Sequence, residues 1–338
     1  MRTNFVLVTF LFILSGFSLS LYAQNDSIPF SFTKKQIGAI QFISSKYSEG
    51  SYREVITLTS SGLKKYSKES LATLVPFHVY QALAHHALFN TTFANSSITK
   101  IETEVATISN PFERTSVSLE LARYYFTVGY YSYSQQLLES IEPIPSFQYE
   151  LDLRKTQLLV ATGFFKSAYS LIQFKNVSGK TPSNDIGVWI KDAKQRATYL
   201  STLQSQWFEI ETSLYIQQGF YDKADSILKD FTTWSFTSEL PKAELQKTIL
   251  TLKATLAENR KSYAVAADYY TSAYTLGTDR PDGQRSIFLL TNIIVNLYRS
   301  NNSLQATSYL RRLQMIAYQS VGKFEQAQLA YEYAESFK

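Results

Sequence analysis

The chain has 338 residues, 45% hydrophobic and 15% aromatic, which is too apolar for a disordered polypeptide and enough for a large buried core. Only 12 Gly and 8 Pro leave little room for the turns of an all-β sandwich, so the chain reads as helical. A net charge of +5 is small for this length, and the absence of Cys excludes thiol nucleophiles, disulfides, Cys-bound zinc, iron–sulfur clusters and a lipid-anchored cysteine.

At the N-terminus, Arg2 precedes an apolar run from Phe5 to Leu14 interrupted only by Thr9, and Ser15-Gly16 then opens a stretch of small and polar residues. That order predicts a secretory signal peptide over residues 1–23, cleaved after Ser20 or Ala23. An uncleaved anchor is the rival reading, because the weakly apolar stretch to Tyr22 approaches the roughly 20 residues a span needs. The expectation is a periplasmic or secreted protein with no stable membrane span after cleavage. Losing Arg2 leaves 32 basic against 28 acidic residues, and the doublets Lys34-Lys35, Lys64-Lys65 and Arg311-Arg312 lie far apart. Phosphate tracking needs clustered charge, so these are expected to be solvated helix faces and no nucleic-acid partner is expected.

Beyond the leader, two kinds of helix breaker alternate. Gly50, Asn90, Gly129, Gly163, Gly219, Asn259 and Asn301 mark tight turns, and between them fall Pro76, Pro111, Pro143 with Pro145, Pro182, Pro241 and Pro281. Proline suits a helix start, where its missing N–H would go unpaired, whereas Gly and Asn accept the left-handed conformation that ends a helix. Each proline is therefore expected to open a first helix and each Gly or Asn to turn it into a second. In Asn110-Pro111-Phe112-Glu113, Asn110 is the expected N-cap and Glu113 the third residue of a capping box.

Apolar spacing between the breakers is helical. Leu121, Ala122, Tyr125 and Phe126 mark one face and Tyr131, Leu137, Leu138 and Ile141 the next; Ala254, Leu256 and Ala257 are answered by Tyr263, Ala266, Ala267, Tyr270 and Ala273. Gly50 and Asn301 lie 251 residues apart, so six intervals average about 42, the signature of stacked helix pairs. The predicted fold is all-α, a solenoid of seven antiparallel helix pairs closed by a polar helix from about Lys323 to Phe337. The interval from Gly163 to Gly219 is longer, and Val188, Trp189, Lys191 to Lys194 and Ala197 hold no strong breaker, so residues 176–200 are expected to be an extra helix (around Ile186 to Leu200) or an irregular insert between repeats at 24–175 and 201–338.

Gly219, Tyr221, Ala224, Leu228 and Gly163, Phe165, Ala168, Ile172 follow a glycine, aromatic, small, large-apolar spacing. Gly129, Tyr131, Ser134, Leu138 keep it loosely, and Tyr263, Ala266, Tyr270 keep it without the glycine. At these residues the chain resembles the tetratricopeptide repeat family, over most of residues 33–337. The mean spacing exceeds that family's roughly 34 residues, leaving irregular units or a HEAT-like stack as alternatives. The resemblance implies a right-handed superhelix whose concave face comes from the first helices. It makes Arg123, Phe126, Gln157, Gln206, Glu209, Ser213, Gln217, Glu258 and Asn259 the partner-binding candidates, with plain solvent exposure as the other reading. The family's clamp for C-terminal carboxylates needs Lys and Asn where this chain has Leu119 and Arg123, Leu153 and Gln157, and Glu209 and Ser213, which argues against a chaperone-tail adaptor.

Signals for chemistry are sparse. His78, His85 and His86 are the only histidines and sit on one predicted helix, so a structural or surface role is expected and no metal site. Asp222 with Asp225 and Glu102 with Glu104 are carboxylate pairs of the kind solvated helices carry. No Gly-x-Ser-x-Gly elbow, Walker loop, dinucleotide fingerprint or EF-hand loop occurs, so neither catalysis nor a cofactor is expected. The expected function is a scaffold that docks a peptide or protein segment. Two alternatives are a small-ligand or glycan binder using some of the 24 Tyr and 23 Phe, and the sensor part of an envelope signalling system.

Overall fold

A computed structural model of the chain describes residues 32–175, 192–238, 240–276, 283–319 and 324–338. The expected signal peptide at 1–23, Pro182 and Pro281 lie outside these residues. Among the described residues there are fifteen helices and no strand. They form seven pairs: α1 (Lys34–Ser48) with α2 (Tyr52–Lys65), α3 (Leu71–Ala87) with α4 (Thr91–Val105), and α5 (Pro111–Thr127) with α6 (Tyr131–Ser140). Next come α7 (Pro145–Ala161) with α8 (Phe165–Lys175), α9 (Ala193–Gln217) with α10 (Tyr221–Ser235), α11 (Lys242–Asn259) with α12 (Tyr263–Thr275), and α13 (Gln284–Arg299) with α14 (Ser303–Gln319). The closing helix is α15 (Phe324–Glu335), which packs on α13 and α14.

The chain divides into two compact units, Met1–Tyr47 with Ser51–Trp207 and Ser48–Gly50 with Phe208–Lys338, so the division falls inside α9. Each unit has solenoid packing. In the first, α2 packs on α3, α3 on α4, α5 on α6 and α7 on α8, and the first helices also touch one another, α3 on α5 and α5 on α7. In the second, α10 packs on α11, α11 on α12, α12 on α13 and α13 on α14.

One turn, built seven times, joins the two helices of every pair. A residue with positive φ ends the first helix: Gly50, Phe89, Gly129, Gly163, Gly219, Lys261 and Asn301, with φ from 58° to 86°. The next residue's N–H reaches back five positions, as in Tyr130 N to Tyr125 O at 2.8 Å and Ser262 N to Ala257 O at 2.8 Å, which satisfies a carbonyl the helix end would otherwise orphan. Five residues past the left-handed position comes a small or β-branched side chain (Val55, Ala94, Ser134, Ala168, Ala224, Ala266, Ala306), and nine past it comes Thr59, Ile98, Leu138, Ile172, Leu228, Tyr270 or Leu310. All fourteen are 0–5% exposed. Ser134 Oγ donates to Ala122 O at 2.9 Å, so the second helix lies close to the backbone of the first.

Several expectations need correction. The left-handed residues are Phe89 and Lys261, not Asn90 and Asn259; Asn90 is the N-cap one residue later, and Asn259 is the last residue of α11. Pro111 and Pro145 do open helices, and Asn110 Oδ1 accepts from Phe112 N (2.9 Å) and Glu113 N (3.1 Å). Pro76, however, lies inside α3, which starts at Leu71 after the extended Ser70, so the proline forfeits one interior hydrogen bond. Glu113 accepts from Ala72 N at 3.4 Å, capping the neighbouring first helix instead of its own. Residues 193–200 are the opening turns of α9 and not a separate helix, with Asp192 Oδ1 accepting from Gln195 N at 2.9 Å; residues 176–191 lie outside the described set.

Inside α2, a Cβ added at Gly62 would stand 2.4 Å from the ring of Phe77 on α3. Gly62→Ala is expected to lower stability by about 1–3 kcal/mol through overpacking. Lys261→Gly, which relieves a left-handed side chain, should raise it by roughly 0.5–1 kcal/mol. Thermal unfolding checks both signs, and a lower midpoint for Lys261→Gly would contradict the strain assigned to that turn.

Candidate functional site

Polar residues are not spread evenly through the interior. Among the described residues, nearly every buried polar or charged side chain lies on a first helix; the second helices contribute Thr59 and Ser134. This follows from position, since a first helix is flanked by second helices and by other first helices. On α5 every residue from Thr115 to Thr127 is buried, and polar groups held there must find partners inside the protein.

In the first unit several do, although the Ser116 and Tyr124 hydroxyls of α5 do not. Tyr80 OH on α3 donates to Ser44 Oγ on α1 at 2.9 Å, and the Arg123 guanidinium of α5 stands 5.0 Å from the Tyr80 ring centroid. Arg123 also donates to Glu120 Oε2 at 3.0 and 2.7 Å, one turn earlier on α5. On α7, Arg154 donates to Glu150 Oε1 (3.1 Å), to Gln157 Oε1 (3.0 Å) and to Gln206 Oε1 on α9 (3.4 Å), while Tyr199 OH of α9 donates to Glu150 Oε2 at 3.0 Å. Burial pushes the Tyr80 phenol up, so it stays a neutral donor. For Arg123, burial works against the charge, but Glu120 and Tyr80 outweigh it and its pKa is raised.

The second unit has a smaller counterpart. Glu244 on α11 pairs with Lys247 (3.3 Å) and with Arg285 of α13 (2.8 Å). Burial alone would raise the Glu244 carboxyl; the two cations hold it below its ordinary value. At the C-terminus, the Arg299 guanidinium lies 5.4 Å from the Tyr263 ring centroid and 5.0 Å from that of Phe337, and pairs with Glu258 at 2.6 Å.

The nine candidates from the sequence are therefore scattered, and no single surface gathers them. Arg123, Gln157 and Gln206 are buried in the first unit's polar layer, and Phe126 is buried against Tyr131 with centroids 5.7 Å apart. Glu209 and Ser213 are buried in the second unit, where Ser213 Oγ donates to the Glu209 carbonyl at 2.8 Å. Gln217 and Asn259 are exposed, and Glu258 is half-buried against Arg299. Sequence reasoning missed Glu120, Glu150, Arg154, Tyr80 and Tyr199. The available signal was opposite charge at helical spacing, Glu120 with Arg123 and Glu150 with Arg154, on helices whose other residues are mostly apolar.

Of the histidines, His85 stacks on Phe93 and His86 meets the edge of Tyr130, while His78 is held at about 4 by burial first and by Lys100 second. Among the described residues, no three His, Cys, Asp or Glu side chains gather in a way that would hold a metal ion, and no helix is long and apolar enough to cross a membrane.

No protein-family model and no curated protein matches the chain. The chain is similar to the crystal structure of NprR in complex with its cognate peptide NprX, with a TM-score of 0.49 and 11% identity over 88% of this chain and 84% of that one. At that score the likeness carries no weight for fold or function.

Two outcomes follow, one from the polar layer and one from the burial of His78. Arg154→Met strands Glu150 in the interior and should cost about 3–5 kcal/mol, whereas Glu150→Leu combined with Arg154→Met should lose much less. Urea unfolding of the two variants checks the ordering, and equal losses would show that the pair is not coupled. His78 is neutral in the fold, so its contribution is fully present above pH 6.5 and is lost as pH falls toward 4. A His78→Gln variant should show a stability loss smaller by on the order of 2 kcal/mol across that window, and an unchanged pH slope would contradict the burial.

Proposed function

We propose that this chain is an exported helical-repeat scaffold that holds a peptide or protein segment along its first helices. The observation that carries the reading is the segregation of buried polar side chains onto those helices. Taking ions out of water costs several kcal/mol each, and apolar side chains of similar volume hold helices together at least as well. Enclosure therefore explains why these positions are buried, but it gives no reason for Glu120, Arg123, Glu150, Arg154 and Gln206 to be polar. Recognition of a peptide does, because its amides and charges need polar partners. In this reading the Arg154–Gln206 bond, at 3.4 Å longer than those to Glu150 and Gln157, is the one that a peptide carbonyl or carboxylate replaces. Export rests on Arg2 and the apolar run Phe5 to Leu14. The reading assigns no catalytic residue, cofactor or nucleic-acid partner.

The test begins with selection from a library of displayed random peptides against the purified mature chain. Hydrogen exchange with and without the selected peptide then locates it. Protection gained along α5, α7 and α9 is the expected result; protection confined to second helices, or no peptide selected, overturns the docking role. Protein recovered from its own cells should begin at Leu21 or Gln24, and an intact Met1 would overturn cleavage.

A further inference from the structure

The first helices close their polar groups inward, but the turns of the second and third pairs turn aromatic rings outward. Phe93 at 61%, Tyr133 at 58% and Tyr130 at 45% exposure stand on the first turns of α4 and α6, where a folded chain gains nothing by leaving large rings in water. Tyr130 and Tyr133 meet at 6.4 Å, and Phe93 belongs to a neighbouring pair. His85 stacks on Phe93 with centroids 5.5 Å apart, and the adjacent His86 meets the edge of Tyr130 at 6.4 Å. Tyr125 lies 6.3 Å from Tyr130 and stacks at 5.3 Å, 24° from parallel, on Tyr133.

One polar group sits at this platform and another lies inside the protein nearby. The Glu102 carboxylate accepts the Tyr125 hydroxyl and, being exposed, keeps further lone pairs for a ligand. Behind the platform, Tyr124 is 1% exposed and its hydroxyl has no partner in the structure. Burial, with Tyr130 and Glu102 in electrostatic reach, pushes that phenol to about 12, so it remains a neutral donor.

We infer that Tyr130 and Tyr133, with the Glu102 carboxylate held by Tyr125 beside them, form a binding subsite for a neutral saccharide. A pyranose ring presents a face of polarised C–H groups that suits the electron-rich face of an aromatic ring, and hydroxyls around its rim that donate and accept. Tyr133 offers the stacking face and Glu102 accepts from ligand hydroxyls. The chemistry disfavours the alternatives. The charge the cluster holds is a carboxylate, which repels an anionic membrane or a phosphate ligand. A proline-rich peptide would stack on the rings but brings few donors for Glu102. The subsite is distinct from the first-helix polar layer and stands whether or not a peptide docks there.

The test is isothermal titration of the full mature chain with cellohexaose, maltohexaose, mannohexaose and xylohexaose, each up to about 10 mM, the weak end of measurable affinity. At least one should bind, and Tyr133→Ala and Glu102→Gln should each weaken it roughly fivefold or more with the circular dichroism unchanged. Both substitutions are on the surface, so folding is not at stake. The proposal is overturned if none of the four binds, if binding is indifferent to both substitutions, or if decaproline alone binds in a Tyr133-dependent manner. It is equally overturned if the patch instead drives self-association that Tyr133→Ala abolishes while no sugar binds.

Discussion

A left-handed residue followed five positions later by a buried small or β-branched side chain is the constraint on which each helix pair depends. The positive φ reverses the chain within two residues, and the back-reaching N–H satisfies the helix end that reversal exposes. The compact residue then lets the second helix settle against the backbone of the first, as the bond from Ser134 to the Ala122 carbonyl records. A long side chain at that position would hold the helices apart and open voids beside Leu138, Leu228 and their equivalents. Four glycines meet the backbone requirement without strain, and Phe89, Lys261 and Asn301 meet it at some cost because packing beyond the turn demands it.

Stacking such pairs creates two environments. Second helices keep one face in water, and their polar residues go there. First helices are enclosed on more than one side, which is why α5 is buried over thirteen consecutive residues and why its Glu120 and Arg123 neutralise each other in the interior. The same enclosure gathers groups remote in sequence: Ser44 with Tyr80, Glu150 with Tyr199 and Arg154 with Gln206. At the turns the enclosure ends, and there Phe93, Tyr130 and Tyr133 reach the surface.

Much of this was legible in the chain. The glycine turns, the N-cap at Asn110, the apolar stripes and the number of pairs all come from local signals whose physics acts within one or two helical turns. The two misplaced turns are instructive, because Asn90 and Asn259 were chosen for residue type whereas Ala94 and Ala266 carry the register. Counting back five from those alanines leads to Phe89 and Lys261. Pro76 misled for a related reason: a proline opens a helix only where the chain has not already begun one, and Leu71 to Val75 had.

By itself, then, the sequence determined an all-helical chain, its pairing and the residues that pack each pair, since those depend on backbone preferences and short-range periodicity. Only the tertiary structure decided that Arg123, Gln157 and Gln206 are enclosed among partners from other helices, and that Tyr125 of α5 both meets Glu102 of α4 and stacks on Tyr133 of α6 at an exposed edge. Burial and pairing of a side chain depend on which helices surround it, and that neighbourhood is set by segments far away along the chain, to which local pattern is blind.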